Sequence, residues 1–242
     1  MSYDYSIYYA RFHPDTEEHA LAMERHFAEV LGGTLPEERS AAILDVGCGF
    51  GFALRALRSL GYGTIRGVEA SPEQAERARS WGFPVEVTGD TQAWLAAHPE
   101  AFDCILLLDV LEHVPKDDQI DLLRAIRGAL RPGGSLVVTT PNASAILAPR
   151  WLYNDYTHHA SFTEHSLHFV LANGGFERIR VDASKGLGRF PRRLWRRSSW
   201  PAVRRWIVRW CWLQVFKAEL PWEKIDEISF ELNLKAVAYK AP

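Results

Sequence analysis

The chain has 242 residues, 47% apolar and 24% charged, with a formal net charge of −2. That length allows one sizeable core, and the mix is ordinary for a soluble globular protein. No segment reaches the ~18–20 uninterrupted apolar residues of a membrane-spanning helix, and Met1–Tyr5 lacks the basic and apolar regions of a signal peptide. Cys48, Cys104 and Cys211 are odd in number and lack metal-type spacing, so a reduced, cytoplasmic compartment is expected. The charge is uneven. Between Asp182 and Glu219 stand ten Lys/Arg and no acid, and the rest of the chain carries 18 bases against 30 acids.

In chain order, residues 14–31 set Leu21, Phe27, Val30 and Leu31 among polar side chains, which predicts an amphipathic helix ended by Gly32-Gly33. A strand over 41–46 breaks into glycines, and a helix follows through Leu54, Leu57 and Leu60 to Gly61. A second strand, 64–69, precedes Ser71-Pro72, an N-cap with proline at the first helical position, and a helix to about residue 81. The third strand is 85–88, followed by a short helix around Trp94. The fourth, 102–108, is nearly all apolar, as a strand buried on both faces should be. A helix over 116–130 ends at Arg131-Pro132-Gly133-Gly134, and the fifth strand is 135–140. A loop-rich stretch, a helix over 163–172, a sixth strand at 176–181 and a seventh at 231–239 complete the chain. This alternation argues for an α/β, doubly wound parallel sheet.

The site signal is Ile43-Leu44-Asp45-Val46-Gly47-Cys48-Gly49-Phe50-Gly51, a buried strand that ends in three alternating glycines before a helix. Such a turn lets backbone approach a ligand and presents open N–H groups of a helix N-terminus. A dinucleotide fingerprint spaces its glycines G-x-G-x-x-G, whereas here the third comes one residue early and Asp45 precedes the first. The segment resembles the nucleotide-binding motif of class I S-adenosylmethionine (SAM)-dependent methyltransferases. That resemblance covers about 41–182 and 229–240 and implies a seven-stranded, mostly parallel, Rossmann-like sheet whose last strand is antiparallel beside strand five. It implies SAM as cofactor, held by Asp45, Gly47, Gly49, Gly51, Glu69, Ala70, Asp90, Thr91 and Asp109. Glu69 would accept from both ribose hydroxyls, Asp90 from the adenine amino group, and Asp109 would lie by the methionine portion. A nicotinamide dehydrogenase fails on the glycine spacing. An inactive scaffold of the same fold, binding membrane or nucleic acid, is the non-enzymatic rival.

On the acceptor side stand Asp109-Val110-Leu111-Glu112-His113 and Asn154-Asp155-Tyr156-Thr157-His158-His159. Read as one helical turn, the first puts Asp109, Glu112 and His113 on one face. The second, with Phe162-Thr163 after it, resembles bacterial methyltransferases associated with sugars and cell-surface polysaccharides. Two mechanisms fit. In one, His113 or His158 is a general base toward an acceptor hydroxyl. In the other, Glu112, His113 and His158 hold a divalent metal, similar to small-RNA 2′-O-methyltransferases, although Asp109 and Thr157-His158 depart from their E-x-x-E-H and D-H patterns. The base reading is preferred, so no metal is expected.

The insert over 184–228 carries Trp195, Trp200, Trp206, Trp210 and Trp212 with its basic residues. A helix from Pro201 to about 217 would put Val203, Trp206, Ile207, Trp210 and Leu213 on one face and Arg204, Arg205 and Arg209 mostly on the other. Tryptophan opposite arginine suits an anionic membrane surface reached through 185–217, with nucleic acid ranked behind it and a packed structural hairpin as the plain alternative. The expected organisation is a helical cap over 1–40 and a methyltransferase domain over 41–242. The expected reaction is methyl transfer to a hydroxyl of a sugar or lipid-linked glycan. A quinone or other small molecule is the first alternative acceptor, and an RNA 2′-hydroxyl the second.

Overall fold

The computed structural model describes residues 13–14, 16–182, 200–224 and 228–242. The aromatic cluster of Tyr3, Tyr5, Tyr8, Tyr9 and Phe12, which the sequence allows either as a cover for the cofactor or as plain packing, lies outside the described residues, as does the basic run 191–197.

Seven strands form one sheet: β1 (Ile43–Val46), β2 (Ile65–Glu69), β3 (Val85–Val87), β4 (Phe102–Leu108), β5 (Leu130–Pro141), β6 (Glu177–Asp182) and β7 (Asn233–Tyr239). Their order is β3-β2-β1-β4-β5-β7-β6. β1 to β5 pair in parallel, and β7 runs antiparallel to both β5 and β6, with Val237 opposite Val137 and Arg180. This is the mostly parallel α/β sheet with a reversed last strand that the sequence predicts.

A parallel sheet is covered on both faces because its crossovers are helical. Alternate residues of β4 show the division: Cys104, Leu106 and Leu108 enter one core with Leu31, Leu54 and Leu57, while Ile105 and Leu107 enter the other with Leu123, Ile126 and Leu171. The first core receives α1 (Glu17–Leu31), α2 (Phe52–Ser59) and α3 (Pro72–Ser80). The second receives α5 (Lys116–Ala129) and α7 (Glu164–Asn173), with α4 (Thr91–Ala96) beside α5. The chain leaves β1 toward β2 and β3, then returns to β4 on the other side. That reversal opens a crevice at the carboxyl ends of β1 and β4, where sheets of this kind bind ligands.

Three expectations change. β5 starts at Leu130, not 135, because Leu130 already pairs with Phe102 across a register shift, and Gly133 at φ 75° lets the bulged chain continue. The stretch after β5 holds a helix, α6 (Ala148–Asn154), whose N-cap Leu147 makes no side-chain cap, so Pro149 in its first turn is the start signal that marks it. The third change is the face of α8 (Trp200–Glu219). Arg209 does not face outward: it packs inward and donates twice to Glu231, at 2.7 Å each. Trp212 donates to the Ser144 carbonyl at 3.1 Å on the same packed side, while Ile207 and Trp210 are exposed. A two-pronged pairing with a carboxylate fixed on the body outranks the wheel of hydrophobicity that suggests the opposite orientation.

Candidate active site

The crevice is a cleft of about 1810 Å³. Its floor is the glycine turn. The Gly47 and Cys48 amides donate to the Val68 carbonyl at 2.8 and 3.1 Å, and Gly51 N–H donates to Cys48 O at 2.8 Å. Gly47, Gly49 and Gly51 all sit at positive φ, 71°, 53° and 79°, a path that favours glycine. Space demands glycine too. A Cβ on Gly47 would stand 2.7 Å from Val110 Cγ2, and one on Gly51 would stand 2.9 Å from Ala78 Cβ. Gly51 caps α2 without a side chain.

Glu69 ties this turn to the next strand. One carboxylate oxygen accepts from Gly49 N–H at 2.8 Å and the other from Ser71 N–H at 2.9 Å. Each oxygen keeps a second lone pair for a ligand. Gly47, Gly49, Glu69, Ala70, Asp90, Thr91, Asp109 and His113 all line the cleft, whereas Asp45, Gly51 and His158 are not part of that lining. Asp45 is buried under the turn, and burial, with Glu69 nearby, pushes its carboxyl up to about 7. Asp90 spends one oxygen as the N-cap of α4, accepting from Ala93 N–H at 2.9 Å.

The acceptor-side segment is not one helical turn. Asp109 ends β4 in the left-handed region, φ 53°, and only Leu111–His113 form a 3-10 turn. Asp109 and Glu112 are instead fixed by neighbouring threonines of β5. Thr139 donates to Asp109 Oδ1 at 3.0 Å, and Thr140 donates to Glu112 Oε2 at 3.1 Å. Asn233 Nδ2 donates to Asp109 Oδ1 at 3.0 Å. Gln119 donates to the Leu111 and Val114 carbonyls, and His159 N–H donates to Glu112 O, which hold the turn against β5.

The histidines come together: the rings of His113 and His158 lie 4.6 Å apart, centroid to centroid. Their partners assign their protons. Thr157 Oγ1 lies 2.6 Å from Asp155 Oδ1 and 2.8 Å from His113 Nδ1. Its single hydroxyl proton goes to the carboxylate, so His113 Nδ1–H donates to Thr157 and Nε2 keeps its lone pair. His158 Nδ1 lies 3.1 Å from the Leu152 carbonyl, an acceptor only, so Nδ1 carries its proton as well. Burial, then His158, holds His113 down at about 4, while burial and the Asp109 charge push Glu112 well above the carboxylate range.

This assignment is testable by itself. In Thr157→Val the acceptor for Nδ1–H is gone, and ¹⁵N spectra of histidine-labelled protein are expected to show His113 shifting toward the Nε2–H tautomer. Thr157→Ser should keep it on Nδ1, and a wild-type ring protonated on Nε2 would overturn the assignment.

Sequence reasoning assigned roles only to His113 and His158, although it placed Asp155 and Thr157 in the acceptor-side motif. Their signal was present: Thr157 N–H donates to Asp155 Oδ1 at 2.9 Å, an Asx turn readable from D-x-T. Also unassigned were Thr139, Thr140 and Asn233, and His13, which lines the cleft with its ring 5.7 Å from that of Phe52.

Residues 17–181 match the family model described as a methyltransferase domain. Among curated proteins, the ubiquinone biosynthesis O-methyltransferase of Xanthomonas campestris is 34% identical over 107 residues, 42% of this chain and 44% of that protein. The chain spans about half the length of the curated relatives it matches. Among solved structures, a SAM-dependent methyltransferase from Archaeoglobus fulgidus superposes with a TM-score of 0.65 at 18% identity, covering 98% of this chain and 99% of that one. Phosphoethanolamine N-methyltransferase 2 of Haemonchus contortus, solved with SAM, gives 0.61 at 16% identity, covering 100% of this chain and 61% of that one. At these identities the structures speak for the fold.

Proposed function

The chain belongs to the class I SAM-dependent methyltransferase family, and from that premise we propose that it methylates a hydroxyl oxygen, with His113 as the general base. The observation that carries this reading is the position of His113: it lines the same cleft as the glycine turn, with Nδ1 committed to Thr157 and Nε2 left with its lone pair.

The cleft fits SAM on its own features: the left-handed glycine path, the uncapped start of α2, and the Glu69 and Asp90 carboxylates on one wall. In this reading Gly47 and Gly49 admit the cofactor's backbone contacts, Glu69 accepts from the ribose, and Ala70, Asp90 and Thr91 flank the base. Asp109 borders the methionine end, while Asp45 and Gly51 shape the turn from behind. SAM supplies an electrophilic methyl on a sulfonium. An acceptor oxygen taking that methyl, with the C–S bond broken as the C–O bond formed, would hold a strongly acidic proton. His113 Nε2 receives that proton and passes it to water; Asp155 and Thr157 hold the ring in the receiving tautomer.

The basicity of His113 bears on the acceptor. With His113 held near 4, the proton leaves only as the C–O bond forms, and a phenolic hydroxyl near ~10 needs less of that help than an alcohol whose acidity is close to that of water, ~15.7. A phenol or quinol-type acceptor is therefore favoured over the sugar hydroxyl expected from the sequence. The named activity of the curated relatives points the same way. Labelled SAM offered with a catechol and with a sugar acceptor tests this, and label entering only the sugar would overturn it.

A second reading rests on one observation. Among the described residues, Glu112, His113 and His158 each offer one ligand atom within 4.8 Å of the others. Those three would hold a divalent cation that acidifies the acceptor hydroxyl, with both imidazoles oriented through their Nδ1–H bonds. Full turnover after chelation supports His113 as the base. Turnover lost to a chelator and restored by Mg²⁺ or Mn²⁺ supports the metal.

A further inference from the structure

Fourteen large hydrophobic side chains are exposed among the described residues, and eleven lie between 147 and 222. Exposed apolar groups scattered singly need no explanation, but a concentration in one third of a chain does. The densest part is α8, which has no buried residue in 20. Its outward side is Trp200, Arg204, Ile207, Val208, Cys211 and Val215, spaced at i, i+4, i+7, i+8, i+11 and i+15, an apolar stripe around one guanidinium with Trp210 exposed at its edge.

This orientation is fixed by the opposite side. Arg209 forks onto Glu231, Trp212 donates to Ser144 O, and the rings of Phe216 and Phe230 meet at 5.4 Å. A helix of a water-soluble body turns its apolar side in and its polar side out. Here the outer side, Arg204 apart, is apolar as well, and it is held facing away from the body.

We propose that α8 is the docking surface for an anionic lipid bilayer, lying along the headgroup region with its outward apolar stripe in the acyl boundary. Charge selects this occupant. Arg204, Arg205 and Lys217 are exposed on α8, and no acid stands between Trp200 and Ala218. The acidic remainder of the chain is repelled by the same surface, so attraction also orients the molecule. Tryptophan and arginine suit the interface, where the ring is half-solvated and the guanidinium reaches the phosphates. Nucleic acid would use the arginines but has no use for Ile207, Val208 and Val215, which offer no ring to stack on a base. No described helix is long and apolar enough to cross a membrane, so α8 lies along the surface.

The same segment that anchors α8 reaches the cleft: Glu231 holds Arg209, and Asn233, two residues on, donates to Asp109. The docking surface goes beyond the methyl-transfer reading, and its test needs no turnover. The full chain is co-sedimented with vesicles of phosphatidylcholine alone and of equal parts phosphatidylcholine and phosphatidylglycerol. Binding to the anionic vesicles is expected to be at least about tenfold tighter, with a blue shift of tryptophan emission. Ile207→Ser/Val215→Ser should weaken it by about tenfold or more at unchanged Tm, since both side chains are already exposed. Should that variant misfold, Arg204→Glu/Arg205→Glu tests the charge contribution with the same expected loss. Equal binding to both vesicles, or equal binding by both variants, overturns the proposal. So does a dimer dissolved by Ile207→Ser, or an RNA complex formed without vesicle binding.

Discussion

His113→Gln is expected to lower kcat by about 10²–10⁴-fold while leaving SAM affinity within about threefold. Glutamine keeps a donor for Thr157 and a similar volume, but it offers no lone pair able to take a proton near neutrality. Equilibrium binding by calorimetry and single-turnover transfer from labelled SAM separate the two quantities. A loss of affinity matching the loss of rate would make His113 a binding residue, and undiminished turnover would remove it from the chemistry. His158→Gln is expected to have a smaller effect, because His158 is not part of the cleft lining and meets the ring of His113 instead.

The pH profile gives the same residue a second test. With His113 held near 4, its base form persists well below the usual histidine range, so the acid limb of kcat should fall near pH 4 and not near 6.5. Stability carries the opposite trace of that shift. Between pH 6.5 and 4 the unfolded chain binds a proton at this site that the native chain does not. The His113 contribution is therefore full above 6.5 and is lost toward 4, by up to about 3 kcal/mol. Asp45, raised to about 7, runs the other way: its contribution is full below the ordinary carboxylate range and is lost as pH rises through 7. In the window where both titrate, the two slopes oppose each other. Thermal stability there reports neither group cleanly, and the rate is the better observable.

The sheet was readable because its strands are short apolar runs between glycine and proline breaks, and β4 at 102–108 matched residue for residue. Periodicity carries no such information for α8, where Trp206, Ile207, Trp210 and Leu213 follow helical spacing whichever way the helix turns. Its orientation is decided by Glu231, whose pairing with Arg209 spans 22 residues and a stretch that sequence reads as loop. The site divides likewise. The glycines and acids at strand ends are local signals, since backbone conformation and strand position fix them. The support of the base is not local: Thr157 meets His113 across 44 residues, and Thr139 and Asn233 converge on Asp109 from strands β5 and β7. Such contacts follow from packing two loops over one cleft, which no spacing rule encodes. Asp155 and Thr157 were the exception, since their Asx turn is local, and only their reach to His113 was hidden.

Glu69→Gln is expected to weaken SAM binding by about 100-fold. Two effects act together. The charge-assisted bonds proposed between the carboxylate and the two ribose hydroxyls would become neutral ones, at a loss of roughly 1.5 kcal/mol each, and tenfold in Kd is about 1.4 kcal/mol. Glutamine also brings one amide donor where Glu69 has two acceptors. It cannot accept through both ends from Gly49 and Ser71, so one backbone N–H is left facing a donor and the glycine turn loses its tie to β2. Asp90→Asn separates these contributions. Its exposed carboxylate already gives one oxygen to the cap of α4, and asparagine caps nearly as well, so its effect should stay within about tenfold. Calorimetric titration with SAM on both variants gives the comparison, with Tm recorded for each. Equal small losses in both would remove Glu69 from the cofactor contacts and leave it a structural strut. A large loss at Glu69 alone, with the fold intact, requires that the carboxylate bind the ligand and the turn at once, because no neutral isostere can accept from both sides.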